Sequence, residues 1–375
     1  MNTTGDQQLV KRINRSVLLR LVRRQSGLSR AQLAKESGLT KSTVSLLVRE
    51  LLQDGWVTEG DVARAQGLGR PSTPLTIDAE RRALAGVEVA VDAVRVVGVS
   101  LTGKVLRALE EPLVDKSPDA VCTLAALLVS RIHSGLVQHG VTLHGVGVGL
   151  PGAFDEATGI LSFAPNLGWR NVDFVPLITQ ALSLAGVPPV PVHVQNEADT
   201  AALSEYEFAS NGSKDSLIFV TCGVGVGAGI VLNDRLFTGV QGMAGEIGHS
   251  ILQQGGALCS CGRRGCAETF FGERALAKLS DPAQGGQYLG LILHNLWTTL
   301  NPGSIVVGGS SCLRYPAMVD VARETLAGYA KSAGIAPTPV VRTASYGLLA
   351  SAVGAAALVL HHELRPLHDR ATQLT

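Results

Sequence analysis

The sequence predicts an α/β protein in which a small winged helix-turn-helix head is carried on a larger body of two lobes with a cleft between them. Three observations predict this. Residues 1–82 hold 14 Lys and Arg against 8 Asp and Glu, a balance of +6, whereas residues 83–375 balance at −5. The first 60 residues carry helix caps and a glycine turn at the spacing of three short helices. Beyond residue 83, strand-like and helix-like segments alternate, as in an α/β body. A basic head on an acidic body implies that the head, and not the body, meets a polyanion.

In the head, apolar residues at 10, 13, 17, 18, 21 and 22 mark one face of a helix over Val10 to Arg24. Ser29 is a good N-cap for a second helix carried by Ala31, Leu33 and Ala34 and ended by Ser37-Gly38. Gly38 can take the left-handed conformation that a tight interhelical turn requires. Thr40 then caps a third helix with Val44, Leu47, Val48 and Leu51 inward and Lys41, Ser42, Thr43, Ser45 and Arg49 outward. That is the layout of a helix-turn-helix, whose second helix enters the major groove led by its N-terminal residues. Trp56-Val57 and Leu75-Thr76-Ile77 read as the two strands of a wing with Gly67-Leu68-Gly69-Arg70-Pro71 at its tip. The expected DNA-facing set is Arg30, Lys41, Ser42, Thr43, Ser45, Arg49 and Arg70, with Arg70 placed in the minor groove. A packing module with solvated charges is the alternative.

In the body, Gly86 to Leu101 reads as two strands joined by a turn, Ala120 to His139 as a long helix and Gly145 to Leu150 as a buried strand. Val190 to Val194, Leu217 to Val220, Gly225 to Leu232 and Ile305 to Val307 are further strands. Glu197 to Phe208 and Tyr288 to Leu300 are further helices. The most apolar stretch, Leu348 to Leu360, is shorter than the ~20 residues a bilayer demands and is expected as a buried helix returning to the first lobe. Arg365 to Thr375 are expected to be frayed. The resulting boundaries are 1–82 for the head with wing and linker, 83–195 for the first lobe (completed by a helix over 347–362), and 196–346 for the second.

His249, Cys259, Cys261 and Cys266 fall within eighteen residues. One imidazole and three thiolates close a tetrahedral zinc shell with no open position for water, which is a structural and not a catalytic site. The alternative is a chance cluster in a glycine-rich loop. Glu246 and Glu268 flank the ligands, so two carboxylates and an imidazole are pinned around one loop, a set suited to gripping the hydroxyls of a polar ligand. Cys122, Cys222 and Cys312 are scattered singly. With no secretory pattern at the polar, basic N-terminus, this cysteine usage points to the cytoplasm and away from a membrane.

Gly245-Glu246-Ile247-Gly248-His249, continued by Cys259-x-Cys261-Gly262-x-x-Gly265-Cys266-x-Glu268, resembles the signature of the ROK family of repressors, open reading frames and sugar kinases. Gly149-Leu150-Pro151-Gly152, Asn166-Leu167-Gly168-Trp169, Asn196-Glu197-Ala198-Asp199 and Asn301-Pro302 with Gly308-Gly309 resemble its other landmarks. The resemblance implies an actin/hexokinase-like pair of RNase-H-like lobes with a monosaccharide between them. It implies sugar contacts at Gly152, Asn166, Asn196, Glu197, Glu246, His249 and Glu268. In its repressors it implies operator DNA as partner and a homodimer or dimer of dimers.

Two departures separate this chain from the family's kinases. Where those open the body with Asp-x-Gly-Gly-Thr to cradle phosphates, this chain has Glu88-Val89-Ala90-Val91-Asp92. Side chains replace both glycines, and Asp92 adds a charge that repels phosphate by about 4 kcal/mol at 4 Å near a protein surface. The family's Asn-Asp pair, whose aspartate is the catalytic base, is here Asn196-Glu197. One added methylene displaces a base far enough to cost orders of magnitude in rate. The glycines of Cys222 to Gly229 remain as inherited scaffold. The expected function is a sugar-responsive transcriptional regulator without kinase activity, taking xylose, glucose or an amino sugar. An active ATP-dependent kinase with a DNA-binding head, or a regulator that senses a partner protein, are the competing expectations.

Overall fold

The structure is a computed structural model and describes residues 7–61, 73–209, 216–336 and 338–366. The head holds α1 (Gln7–Arg24), α2 (Arg30–Ser37) and α3 (Lys41–Gln53), then the antiparallel pair β1 (Val57–Glu59) and β2 (Leu75–Ile77). The caps act as the sequence dictates. Ser29 and Gln32 form a reciprocal capping box, Gly38 sits at φ 71°, and the Thr40 hydroxyl accepts from the Thr43 backbone N–H at 3.2 Å. The apolar face of α1 centres on Leu18, Leu19 and Val22, and Val10 is left 47% exposed. The wing tip, with Gly67 to Pro71 and hence Arg70, lies outside the described residues.

The first lobe is a five-stranded sheet in the order β10 (Val192–Asn196), β6 (Thr142–Leu150), β3 (Arg82–Val89), β4 (Ala93–Ser100), β5 (Val105–Pro112). The β3–β4–β5 meander is antiparallel, and β6 and β10 add parallel through crossovers. Alternation on β3 sends Ala83, Ala85, Val87 and Val89 towards α4 (Pro118–Gln138) and α5 (Phe174–Leu184). The opposite face receives α12 (Ala350–Leu364). A Cβ on Gly86 or Gly147 would lie 1.9 Å from the Ala352 carbonyl or 1.7 Å from that of Ala355, so the glycines admit the helix at backbone contact. A small sheet of β7 (Ala153–Asp155), β8 (Ile160–Ala164) and β9 (Trp169–Asp173), unforeseen in the sequence, carries at its ends Gly152, Pro165 and Asn166, which line the cleft.

The second lobe is a sheet in the order β13 (Arg235–Leu236), β12 (Val226–Leu232), β11 (Ser216–Cys222), β14 (Ser304–Gly308), β15 (Val340–Thr343). Short helices α7 (Glu268–Phe271), α8 (Glu273–Leu276) and α10 (Ser310–Arg314) and long helices α9 (Gly285–Leu300) and α11 (Pro316–Ser332) accompany it. Between the lobes runs α6 (Glu197–Leu203). It does not continue regularly to Phe208 as expected: Ser204–Phe208 widens into a π-helical turn.

Leu18, Leu19, Val44, Leu47 and Trp56 of the head share a single apolar cluster with Leu84, Val97 and Val99 of the body sheet and Val353 and Leu360 of α12, so the head is docked on the body. Two further expectations are corrected, for Arg365 and for the length of the C-terminal apolar helix, whose expected burial holds. Arg365 is not frayed but 6% exposed, held by Glu207 and Asp234; residues 367–375 lie outside the description. Gly347–Leu364, counting the 3-10 turn that leads into α12, and Pro118–Gln138 are both long and apolar enough to cross a membrane. In this fold 72% and 44% of their apolar windows are buried inside the protein.

Candidate ligand cavity, metal centre and nucleic-acid interface

On α3, Lys41, Ser42, Ser45 and Arg49 are exposed, as is Leu46 at 53%, which the sequence reading passed over. Thr43 is half-buried with its hydroxyl 2.8 Å from that of Thr40, so it braces the helix start. Arg30, at the start of α2, pairs with Glu59 of the wing strand at 2.9 Å. Lys41, Ser42, Ser45 and Arg49 are thus exposed on α3, and Arg30 is exposed at the start of α2.

The four metal-type side chains converge. One ligand atom from each of His249, Cys259, Cys261 and Cys266 lies within 4.8 Å of every other. Cys261 Sγ to Cys266 Sγ is 3.7 Å, and Cys259 Sγ to His249 Nδ1 is 3.7 Å. Tetrahedral zinc with Zn–S near 2.3 Å demands S···S separations of about 3.8 Å, so both donor type and spacing fit the ion. The knuckle is built by the backbone: Cys259 N–H donates to the Arg263 carbonyl at 2.8 Å, and Gly262 N–H to that of Cys259 at 3.0 Å. Burial works against the Cys261 thiolate, but the Arg263 backbone N–H and guanidinium outweigh it and bring the thiol down to about 7. Zinc bound there would cross-link the loop.

All seven residues named from the family resemblance line one cavity of about 80 Å³: Gly152, Asn166, Asn196, Glu197, Glu246, His249 and Glu268. They arrive from both lobes. Gly152, at φ +104°, follows β6, and a Cβ there would strike the Phe163 carbonyl at 2.1 Å, so only glycine fits. Asn196 ends β10 and caps α6. Its Oδ1 accepts from Ala198 N–H at 2.7 Å, while Nδ2 donates to the Gly152 carbonyl at 2.8 Å and to Glu197 at 3.1 Å. Both of its protons are thus engaged within the wall. Glu246 Oε2 lies 3.8 Å from His249 Nε2, so the imidazole presents one nitrogen to the cysteines and the other to the cavity. Glu268 accepts from the Ser260 hydroxyl at 3.3 Å and the Val226 N–H at 3.3 Å.

Glu197 opens onto the cavity but is otherwise surrounded by protein. Burial, with the Glu246 and Glu88 charges adding to it, pushes its carboxyl up to about 8, so near neutrality it holds a proton and can donate as well as accept. Asp199, two residues further along α6, was given no role from sequence. It is wholly buried and pushed far up by burial and the Glu197 charge, and its Oδ1 has no hydrogen-bond partner among the described residues.

Next to this cavity a cleft of about 250 Å³ is lined by Glu88, Ala90, Val91, Asp92, Gly223, Gly225 and Ser310. Its cation, Arg95, is consumed by Glu88 at 3.4 Å and Glu110 at 3.0 Å. Burial pushes Glu88 up to about 7 in spite of Arg95.

Head and body together define a class: a DNA-binding winged helix-turn-helix fused to an actin-like two-lobed body. Residues 12–58 match the model for winged helix-turn-helix DNA-binding domains, and residues 85–286 match that of the ROK family. The chain belongs to the ROK family. It is 29% identical to the xylose repressor of Bacillus subtilis (strain 168) over 385 aligned positions, covering 96% of this chain and 98% of that protein. It superposes with a TM-score of 0.75 and 23% identity on the crystal structure of a ROK family transcriptional regulator, a homolog of the E. coli MLC protein, covering 97% and 100% of the two chains. The body alone resembles a ROK family glucokinase from Streptomyces griseus in complex with glucose and AMPPNP (TM-score 0.62, 25% identity, 74% of this chain and 98% of that one).

Proposed function

We propose that this chain is a sugar-responsive transcriptional repressor of the cytoplasm, binding operator DNA through its head as a homodimer or dimer of dimers. Its effector is a monosaccharide held between the lobes. One observation carries this: seven polar or glycine positions from separate segments of both lobes surround one cavity, and one of them, His249, also belongs to the metal-type cluster. Sugar hydroxyls donate and accept, and the wall offers both in one place. Protonated Glu197 donates, Glu246 and Glu268 accept, and His249, with Nδ1 turned to the metal, donates through Nε2–H. A ligand that lacks one hydroxyl leaves a buried group unpaired, which is the source of discrimination. D-xylose is the first candidate, given the name of the Bacillus subtilis relative, followed by glucose and amino sugars. Zinc acts structurally, by fixing the loop that carries Glu246, His249 and Glu268.

Phosphoryl transfer is not part of the proposal. Ala90 and Val91 stand where backbone would have to approach phosphate, Asp92 adds negative charge, and Arg95 is already neutralised. One observation favours the competing kinase: the glycine turn Gly223–Gly225 still lines the cleft beside Ser310. Calorimetry with a monosaccharide panel, run beside a coupled assay for ATP turnover, separates the two. Saturable binding of one sugar with background turnover supports the repressor, and robust sugar-dependent turnover overturns it.

A further inference from the structure

The cavity and the head are joined by one continuous helical rod. Asn196 and Glu197, at the cavity, start α6, and α6 runs without a break into the π-turn Ser204–Phe208, a span of about 16 Å at 1.5 Å per residue. The rod has little room to yield sideways. On one flank, a Cβ on Gly354 of α12 would lie 1.6 Å from the Thr200 carbonyl. On the other, a Cβ on Gly229 of β12 would lie 2.1 Å from that of Ala198. Both neighbours therefore touch α6 at its backbone, and Thr200 and Ser351 share a buried hydroxyl contact at 3.0 Å. A segment gripped in this way transmits displacement instead of absorbing it.

At its far end the rod holds the head. Glu207, in the π-turn, has a side chain only 4% exposed and accepts from Arg23 of α1 at 2.8 Å. The Glu207 carbonyl accepts from the other nitrogen of the same guanidinium at 2.6 Å. That carbonyl is available because Glu207 is the penultimate residue of the turn, where late carbonyls fall outside the ladder. Arg365 and His361, at the end of α12, complete the ring around Glu207 at 2.8 Å each. One turn earlier on α1, Arg20 pairs with Asp234 at 3.0 Å, and Asp234 also receives Arg365 and the Tyr206 hydroxyl. The last turn of α1 is thus clamped to two body carboxylates, one of them on the rod itself.

We propose that the bidentate clasp between Arg23 and Glu207, at the end of the α6 rod that begins at Asn196 and Glu197, is the element that couples occupancy of the ligand cavity to the position of the DNA-reading head. Arg23 and Glu207 touch neither ligand nor DNA and act as positioning residues. The inference rests on the sugar-responsive reading above. A ligand that engages Glu197 shifts the first turn of α6, the gripped rod carries the shift to the π-turn, and the clasp passes it to α1, which packs against α3 through Lys11–Glu50 and Arg15–Asp54 pairs. By linkage, operator binding acts back on the cavity by the same factor.

The test uses the full-length chain and a duplex that the wild-type protein selects from a random pool, titrated with and without D-xylose, D-glucose or N-acetyl-D-glucosamine. Arg23→Leu removes the clasp from the more exposed side and leaves the cavity intact, and Arg23→Lys keeps the charge but loses the fork. The expected result is sugar affinity within about twofold of wild type in both variants, while the change in duplex affinity on adding sugar falls from a typical allosteric about 5- to 150-fold to under about threefold in Arg23→Leu. Lys should give an intermediate value. Hydrogen exchange on the wild-type protein provides a readout that needs no variant: sugar should alter exchange at residues 20–24 as well as 196–208. A full sugar response in Arg23→Leu, or exchange that changes at 196–199 and not at 20–24, overturns the coupling while leaving the sugar-sensing function standing. Absence of calorimetric binding of any of the sugars to wild type defeats the functional reading itself, and the coupling with it.

Discussion

His249 Nδ1 lies 3.7 Å from Cys259 Sγ, so a single ring serves the metal knuckle with one nitrogen and faces the ligand cavity with the other. In the proposed reading, structure and recognition meet at that imidazole. Metal loss should therefore damage ligand binding without any direct metal–ligand bond, as outer-shell partners tune a site they do not form.

Cys261→Ser should lower bound zinc from one equivalent per chain to a small fraction, lower the melting temperature and weaken sugar binding by about 10- to 100-fold. Metal analysis after dialysis, followed by calorimetry, checks this. Retention of full zinc with normal sugar affinity would show that the ligands are assigned wrongly.

Glu197 gives a pH signature. Its carboxyl stands at about 8 in the fold, above the ordinary 4.5, and Glu88 and Asp199 are raised as well. The folded chain thus holds protons that the unfolded chain releases first. Stability from this source is fully present below about 4.5 and is lost as pH rises through 8. Glu197→Gln should melt higher than wild type at pH 8 and show a smaller gap at pH 5. A constant gap across that range would mean that Glu197 is ionised in the fold.

The glycines under α12 should be intolerant. Gly147→Ala places a Cβ against the Ala355 carbonyl at 1.7 Å, a backbone collision that no rotamer change relieves. Urea unfolding should show a loss of at least about 2 kcal/mol, within the usual range for overpacking or above it. A neutral result would mean that α12 sits farther from the sheet.

Restoring the shorter base should not restore a kinase. Glu197→Asp supplies the family's carboxylate, yet Ala90, Val91 and Asp92 still line the cleft and Arg95 stays paired. ATP turnover in the coupled assay should remain at background with every sugar that binds.

On the DNA face, Arg49→Ala should weaken the selected duplex. If Arg49 pairs with guanine the loss is about 1–3 kcal/mol and specificity relaxes at one base pair; if it meets phosphate the salt slope falls by about one. Anisotropy titrations at several salt concentrations distinguish these. No change in either quantity would remove Arg49 from the interface.

How far the molecule was legible in its sequence follows from the distance over which each feature is specified. Ser29, Gly38 and Thr40 act on neighbours within three residues, so the head's helix boundaries could be read directly. The metal knuckle is likewise local, its four side chains falling within eighteen positions. The cavity was a different matter. Gly152 and Glu268 stand more than a hundred positions apart, and no periodicity links them; only resemblance to a family did. Features set purely by tertiary contact were missed. Arg365 looks like part of a tail until Glu207, 158 positions away, is seen to hold it. The strands β7 to β9 are three to five residues long, too short for alternation to register, and the π-turn has no sequence period of its own.

The most direct measurement is titration of the selected duplex against the zinc-loaded protein across the monosaccharide panel, with and without a chelator. Tight binding that one sugar relieves, and a sugar effect that disappears once zinc is stripped, is the predicted result. DNA affinity indifferent to every sugar while each is shown to enter the cavity, or a sugar response unaltered by complete loss of metal, would contradict it.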